Sequence, residues 1–388
     1  MKILPFDYAV RNLGRSRLRL TLSVAGSALV VMLVIGAAAF VRSMGNSLVS
    51  SASPDNVILL GAGSEESIER SEISATVPTQ LTGTVPGIRS QLNVPFVSPE
   101  VHMALAVGTR QGEASHQQVV VRGVTHTAYA VHPQVRITSG RAPRPGNNEI
   151  MVGRLAHTRI GLRPEALAIG NHLWFDDQPW EIVGHFQADR TVMDAEIWTA
   201  LSDLMIAAKR STISCVVVTL DEATFADIDA FAKSRLDLEL VAMREMDYYN
   251  QLSAFYKPVM IMVWVTAGLI ALGGLFGGLN TMYAAFSARV REVGMLQALG
   301  FARRAIVLSL VQESMLAAAA GAIIAAGLCL LLFDGVSVRF AMGAFGLRMD
   351  AVTLMLGLVA GLLLGFIGAL PPAWRCLRLP IAEALKAA

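Results

Sequence analysis

Residues 258–288 read PVMIMVWVTAGLIALGGLFGGLNTMYAAFSA, 31 positions between Lys257 and Arg289 without a charged side chain. A helix rises about 1.5 Å per residue, so about 20 apolar residues cross the roughly 30 Å hydrocarbon layer of a bilayer. Three further stretches qualify: 22 residues between Arg19 and Arg42, 20 from Ser314 to Phe333, and 24 from Ala351 to Trp374. The pattern predicts transmembrane helices at 20–42, 258–286, 305–333 and 351–372. Composition agrees, with 54% hydrophobic and 16% charged residues and a mean hydropathy of +0.51. A soluble domain carries about 25% charged residues. Such a chain is too apolar for intrinsic disorder. The 32 Lys and Arg against 30 Asp and Glu leave no basic surplus for nucleic acid. Three cysteines exclude a disulfide scaffold and a four-thiolate zinc site.

The first apolar stretch follows a basic leader (Arg11, Arg15, Arg17, Arg19) and ends near Ala37-Ala38-Ala39, which could pass as a cleavage site. Its run exceeds the 7–15 residues (roughly) of a signal-peptide core, so it reads as a retained anchor. Orientation comes from the basic residues. The leader, the 287–304 link and the tail from 373 hold twelve Lys and Arg, against two, Arg339 and Arg348, in the 334–350 loop. Both termini and the 287–304 link are therefore expected in the cytoplasm. Residues 43–257 are then expected outside, and long domains translocate regardless of their charge.

That external segment reads as mixed α/β. Asn56–Leu60, Gln118–Val121 and Cys215–Val218 are β-rich apolar runs. Asp221 to Leu236 has helical spacing through Phe225, Ile228 and Phe231, with Asp221 as N-cap. SGRAPRPGNN, from Ser139, marks a loop. At this size the segment is expected to hold two subdomains. All seven histidines lie within it, without an HExxH or an i, i+4 pair, and His126 and His132 read as solvated surface residues rather than metal ligands. Cys215 reads as a buried strand thiol. No GxSxG elbow or nucleophile–base set is found, so no catalytic, cofactor or metal site is expected.

Ile3, Leu4, Phe6, Tyr8, Val10 and Leu13 make residues 1–19 an amphipathic leader suited to the membrane surface. The link reads ARVREVGMLQALGFARRAI from Ala288 to Ile306. Met295, Leu296 and Leu299 would present one apolar face, flanked by Arg291, Glu292, Arg303 and Arg304 and bracketed by Gly294 and Gly300. It reads as a short surface helix with knobs for a partner's groove. Helix two carries Gly273, Gly274, Gly277 and Gly278 and helix four Gly357, Gly361 and Gly365. Such spacing lets helix backbones approach, either within the chain or across a dimer. Glu313, near the cytoplasmic end of helix three, is expected to be partnered inside the bundle.

REVGMLQALGFARRAI closely resembles the segment shared by FtsX/MacB-type ABC transporter permeases, where Arg-Glu-hydrophobic-Gly, Leu-x-Ala-hydrophobic-Gly and an Arg-Arg pair recur. AVRNLGRSRLRLTLSVAGSALVVMLV is similar to that family's entry to its first helix, and VQESMLAAAAGAIIAAGL to its third. PPAWRCLRLPIAEALKAA resembles its C-terminal box, with Trp374 and Cys376 where Arg and Ala are more common. The external segment is more loosely similar to the MacB periplasmic domain. Its size favours the branch with MacB, the LolC/LolE lipoprotein releasers and DevC-like exporters.

The resemblance implies a multi-pass protein of the bacterial inner membrane, a non-catalytic permease with four helices and a large mixed α/β domain between the first two. No GxxxxGK[ST] occurs in these residues, so ATP and magnesium are expected on a separate ABC ATPase subunit, docked on the 289–304 link, and no cofactor on this chain. A second permease copy or paralogue, membrane lipid and a periplasmic adaptor or substrate-handling protein are the other implied partners. The function implied is ATP-driven export or extraction of a lipid, lipoprotein, peptide or drug-like substrate. The alternative is an FtsX-like mechanotransmitter acting on a partner such as a cell-wall hydrolase, without a substrate of its own.

Overall fold

A computed structural model describes residues 9–11, 17–112, 118–340 and 343–377. Most of the leader lies outside the described residues, as do His116 and the tail from Arg378. The chain forms two compact units, one of Met1–Arg42, Pro258–Val336 and Leu347–Ala388, the other of Ser43–Lys257 with Ser337–Gly346.

The first unit is built on four long apolar helices, Arg17–Val49, Lys257–Ser287, Arg303–Leu332 and Ala351–Leu377. Lipid tails are as apolar as leucine, so such helices associate by close packing and interhelical hydrogen bonds. The glycines of helix four serve that purpose inside the chain. A methyl group added at Gly357 would lie 2.2 Å from Ile35 Cγ1, at Gly361 2.7 Å from Val31 Cγ2, and at Gly365 2.6 Å from Ala318 Cβ. Helix four therefore lies directly on helices one and three, and these three glycines serve packing within the chain. The Ser314 hydroxyl donates to the Gly365 carbonyl (3.0 Å) and Ser27 to Ala318 (3.3 Å), stitching the same seams. A methyl group at Gly274 would likewise clash with Val30 Cγ2, whereas one at Gly273, Gly277 or Gly278 would meet open space. Helix two is the least covered of the four, with 6% of its apolar window buried against 33% for helix three.

The second unit is organised by one ten-stranded mixed sheet. In chain order the strands are β1 (Asn56–Gly61), β2 (Ile73–Ser74), β3 (Ser90–Gln91), β4 (Val94–Pro95), β5 (Val97–Ala106), β6 (Gln118–Val124), β7 (Arg136–Gly140) and β8 (Glu149–Gly153). There follow β9 (His172–Phe175), β10 (Gln178–Gln187), β11 (Ile197–Ala200), β12 (Thr212–Ile213), β13 (Cys215–Thr219), β14 (Leu240–Arg244), β15 (Ser337–Phe340) and β16 (Gly343–Gly346). The spatial order is β14-β1-β13-β5-β6-β11-β8-β10-β7, with β9 also on β10. β5 joins the two halves: Val97 to Glu100 pair with β13 and Val101 to Ala106 with β6. Two subdomains were expected, and β5 is the strand through which the two halves of the sheet are continuous. Parallel pairs occur at β6–β11 and β8–β10, the remaining ladders being antiparallel. Val57, Leu59, Val101, Val121, Ile150 and Val216 form one core with the covering helices Val77–Thr84, Leu201–Ala207 and Phe225–Ser234.

Two local expectations change. The helix expected from Asp221 starts at Phe225, with Thr224 as N-cap. The Asp221 and Ala223 amides are held by the Gly87 carbonyl, while the Asp227 carboxylate accepts from the Thr224 amide (2.8 Å) and hydroxyl (2.7 Å). The 334–350 loop carries the β15–β16 hairpin, which belongs to the second unit and whose Ala344 packs there on Leu155 and Ala195.

The glycine geometry gives a paired expectation. Gly361→Val should destabilise the purified protein by about 1–3 kcal/mol through overpacking, while Gly277→Ala should be neutral or stabilising by up to about 1 kcal/mol from helix propensity. Thermal unfolding in detergent separates them; equal loss in both would contradict the packing described.

Candidate functional site

The link between helices two and three is a folded helix, Val290–Ala298. It ends in a Schellman motif. The Phe301 amide donates to Leu296 O (3.1 Å) and the Gly300 amide to Gln297 O (3.0 Å), with Gly300 at φ 85°. That left-handed backbone is why a glycine stands there. The accompanying apolar contact turns Leu296 inward, with Phe301, onto a core of Phe286, Val290, Val293, Ile306, Leu310 and Ala373. The three apolar residues thus do not share one face: Met295 (47% exposed) and Leu299 (66%) point outward, and Leu296 is half-buried. Gly294 is buried, Arg291 is exposed and Glu292 is half-buried. Arg303 and Arg304 open helix three, are exposed, and line a groove of 470 Å³ with Leu308, Phe366 and Trp374.

The link is anchored at its start. Arg289 Nη1 donates to both oxygens of Glu313, at 3.0 and 3.3 Å, with both side chains nearly buried. The carboxylate within the helix bundle is thereby neutralised by the residue that precedes the link helix.

A dense polar cluster lies elsewhere, at the centre of the ten-stranded sheet. Glu100 on β5 is fully buried and accepts from four donors. Ser98 Oγ and His132 Nε2 lie 2.8 Å from Oε1, and His102 Nε2 and Arg122 Nη1 lie 3.0 Å from Oε2. Arg122 extends the network as a bidentate partner of Glu196 (2.7 and 2.8 Å), which also accepts from Trp198 Nε1. On the other side His132 Nδ1 is 4.0 Å from Glu245 Oε1. Glu245 opens the helix Glu245–Phe255, and its Oε2 accepts from the Ser53 amide (2.8 Å) and Asn56 Nδ2 (2.9 Å). The chain entering the second unit and the chain leaving it are clasped by one carboxylate. Burial works to raise the Glu100 pKa, yet the charges of His132 and Arg122 and the two histidine hydrogen bonds hold it well below the usual carboxylate range. Burial works to lower that of His132, but Glu100 raises it above 6.5. Burial and Glu100 both push the Cys215 thiol well up.

Glu100, His102 and Cys215 place three ligand-type atoms within 4.8 Å of one another. The carboxylate is already saturated, and the oxygen facing His102 carries a guanidinium, so the set suits an ion-pair network and not a cation. Beside it a cavity of 630 Å³ is lined by Arg122 and Glu196 and by Tyr248, Tyr249, Leu252 and Phe340. A mainly apolar cleft with a few convergent polar groups can hold an amphipathic molecule.

Residues 20–234 match the MacB-like periplasmic core domain, and residues 264–381 match the FtsX-like permease C-terminal domain. The chain belongs to the FtsX/MacB-like ABC transporter permease family. Among relatives of this permease, the macrolide export ATP-binding/permease proteins MacB of Campylobacter jejuni subsp. jejuni, strains 81-176 and ATCC 700819, are 23% identical over 229 residues. The match covers 56% of this chain and 35% of each relative, so the chain spans about a third of the length of the curated relatives it matches. The periplasmic region of MacB from Actinobacillus actinomycetemcomitans aligns at 12% identity with a TM-score of 0.39, over 52% of this chain and 94% of that one. The extracellular domain of the noncanonic ABC-type transporter YknZ from Gram-positive bacteria aligns at 13% and 0.37, over 48% and 99%.

Sequence reasoning placed His132 of the permease at the surface without an acidic partner. It is fully buried and meets Glu100, 32 positions earlier. The signal available was that Glu100 and His102 sit in an otherwise apolar strand run. A pH dependence follows. The folded pKa of His132 is raised, so its contribution to stability is whole below 6.5 and fades as pH rises through the raised value. His132→Gln should cost about 3–5 kcal/mol at neutral pH and should flatten the alkaline limb of stability. Unfolding followed by tryptophan fluorescence from about pH 5 to about pH 9 reads this; an unchanged alkaline limb in the variant would assign it to another group.

Proposed function

We propose that this chain is the permease part of an ABC transporter driven by a separate nucleotide-binding subunit, which binds ATP and magnesium and docks on the link helix. The supporting observation is the link itself. It exposes Met295 and Leu299, is closed by the Gly300 motif, and is tied to helix three through Arg289 and Glu313. A push on its outer face is thereby delivered to helix three rather than absorbed in a loose loop. Arg303 and Arg304 beside it are placed for charge-assisted contacts. In this reading the link and both termini are cytoplasmic, following the twelve-to-two excess of basic residues. The external unit then works the outer side of the inner membrane, handling a lipid, lipoprotein, peptide or drug-like molecule, with the cleft beside Arg122 as its amphipathic seat. A second permease copy or paralogue would meet helix two, where Gly273, Gly277 and Gly278 leave the backbone uncovered.

The inward turn of Leu296 makes the test specific. Met295→Ala with Leu299→Ala should weaken ATPase association by about 1–4 kcal/mol without lowering the melting temperature of the permease. Leu296→Asp should lower that temperature, because it buries a charge in the link's own core. Co-purification with the cognate ATPase and ATP turnover in nanodiscs give the readout; wild-type binding and stimulation in the double alanine variant would move the docking surface away from the link.

A further inference from the structure

The groove between the start of helix three and the end of helix four has a charged end and an apolar length. Its walls carry Arg303, Arg304, Leu308 and Val311 on helix three and Phe366 and Trp374 on helix four, around a volume of 470 Å³. Arg303 and Val311, like Phe366 and Trp374, stand eight positions apart. That is about 12 Å along a helix at about 1.5 Å per residue. Both helices are long and apolar enough to cross a membrane, and the groove opens outward, with Leu308 52% exposed, Phe366 41% and Trp374 62%. An open apolar groove on such helices meets hydrocarbon, and an indole at its end suits the headgroup boundary.

No carboxylate lines this groove. Arg303 and Arg304 are exposed, and among the described residues neither makes an ion pair or a side-chain hydrogen bond. The one carboxylate of helix three, Glu313, is taken by Arg289. Two positive charges at one end and about 12 Å of apolar wall set the chemistry of an occupant. A small soluble anion neutralises the guanidiniums but leaves the wall uncovered. A lipid without net charge covers the wall but brings no counter-charge. An anionic phospholipid does both: its phosphate accepts charge-assisted hydrogen bonds from the guanidiniums, and an acyl chain packs along the wall. Basic pockets between transmembrane helices bind acidic headgroups for this reason.

We propose that this groove is a binding site for an anionic phospholipid, with its phosphate held by Arg303 and Arg304 and an acyl chain lying along Val311 and Phe366. The charge-assisted contacts open to the two arginines are then made with lipid, while Met295 and Leu299, outside the groove, remain the residues that face the ATPase. That the lipid belongs to the inner leaflet rests on the orientation proposed above; the site itself does not.

The test uses the full chain in a neutral detergent without the ATPase, titrated with short-chain phosphatidylglycerol, short-chain phosphatidylcholine and inorganic phosphate. Thermal shift and native mass spectrometry of retained lipid give the readout. Phosphatidylglycerol should bind saturably and more tightly than phosphatidylcholine. Arg303→Gln and Arg304→Gln, on exposed side chains, should each weaken it about fivefold and together about 25-fold, with phosphatidylcholine unchanged. Leu308→Trp, which adds an indole to the groove wall, should weaken both lipids, and Met295→Ala with Leu299→Ala should change neither. The proposal is overturned if phosphatidylglycerol binds no better than phosphatidylcholine, or if the double glutamine variant retains it as the wild type does. It is equally overturned if inorganic phosphate, and not phosphatidylglycerol, shows the arginine dependence. Because the ATPase is absent, failure here leaves the coupling reading standing, and loss of ATPase docking leaves the lipid site standing.

Discussion

A charge withdrawn from water is costly unless it meets a counter-charge inside the fold, and each unit of this permease has one buried carboxylate that is met in this way. In the membrane unit the carboxylate is Glu313, with Arg289 as its partner at 3.0 Å. In the α/β unit it is Glu100, with two histidines, a serine and Arg122 around it. Removing one partner of such a pair leaves an uncompensated charge, so neighbouring segments are held in register by electrostatics as well as by shape.

The partners chosen give these pairs their structural reach. Arg289 immediately precedes the link helix, so neutralising Glu313 also pins that link. Glu100 sits where β5 passes from one half of the sheet to the other, and its network runs through His132 towards Glu245. Glu245 in turn holds the backbone at Ser53 and the side chain of Asn56. The segments that follow the first membrane helix and precede the second are thus tied to each other and to the sheet centre. Packing in the membrane unit obeys a different rule. Helices one, three and four meet at glycines and alanines, because lipid supplies no hydrophobic drive for association and only close approach does.

Much of this was readable from the residues. Each charge-free stretch falls on one long helix, the first of which runs on to Val49, seven residues past the expected end, and the β-rich runs at Asn56, Gln118 and Cys215 fall on β1, β6 and β13. The link was readable as a short amphipathic helix, and Glu313 as a group needing a partner. Other features were not. His132 looked solvated because acidic neighbours were sought nearby in sequence, whereas Glu100 reaches it across the sheet. Leu296 looked equivalent to Met295 and Leu299 until Phe301, turned by Gly300, drew it inward. The helix cap moved from Asp221 to Thr224 because Gly87, more than a hundred residues earlier, captures the Asp221 and Ala223 amides.

These differences share a physical origin. Transfer of apolar side chains into lipid, helical and strand periodicity, and glycine's tolerance of a left-handed backbone are local free energies, summed over neighbouring residues. The sequence by itself therefore determined the four long apolar helices, the mixed α/β character of residues 43–257 and the helical link. Ion pairing and close packing depend on residues brought together from distant positions. Only the tertiary structure decided which base neutralises Glu313, that Glu100 gathers His102, Arg122 and His132, and that the glycines of helix four close on helices one and three.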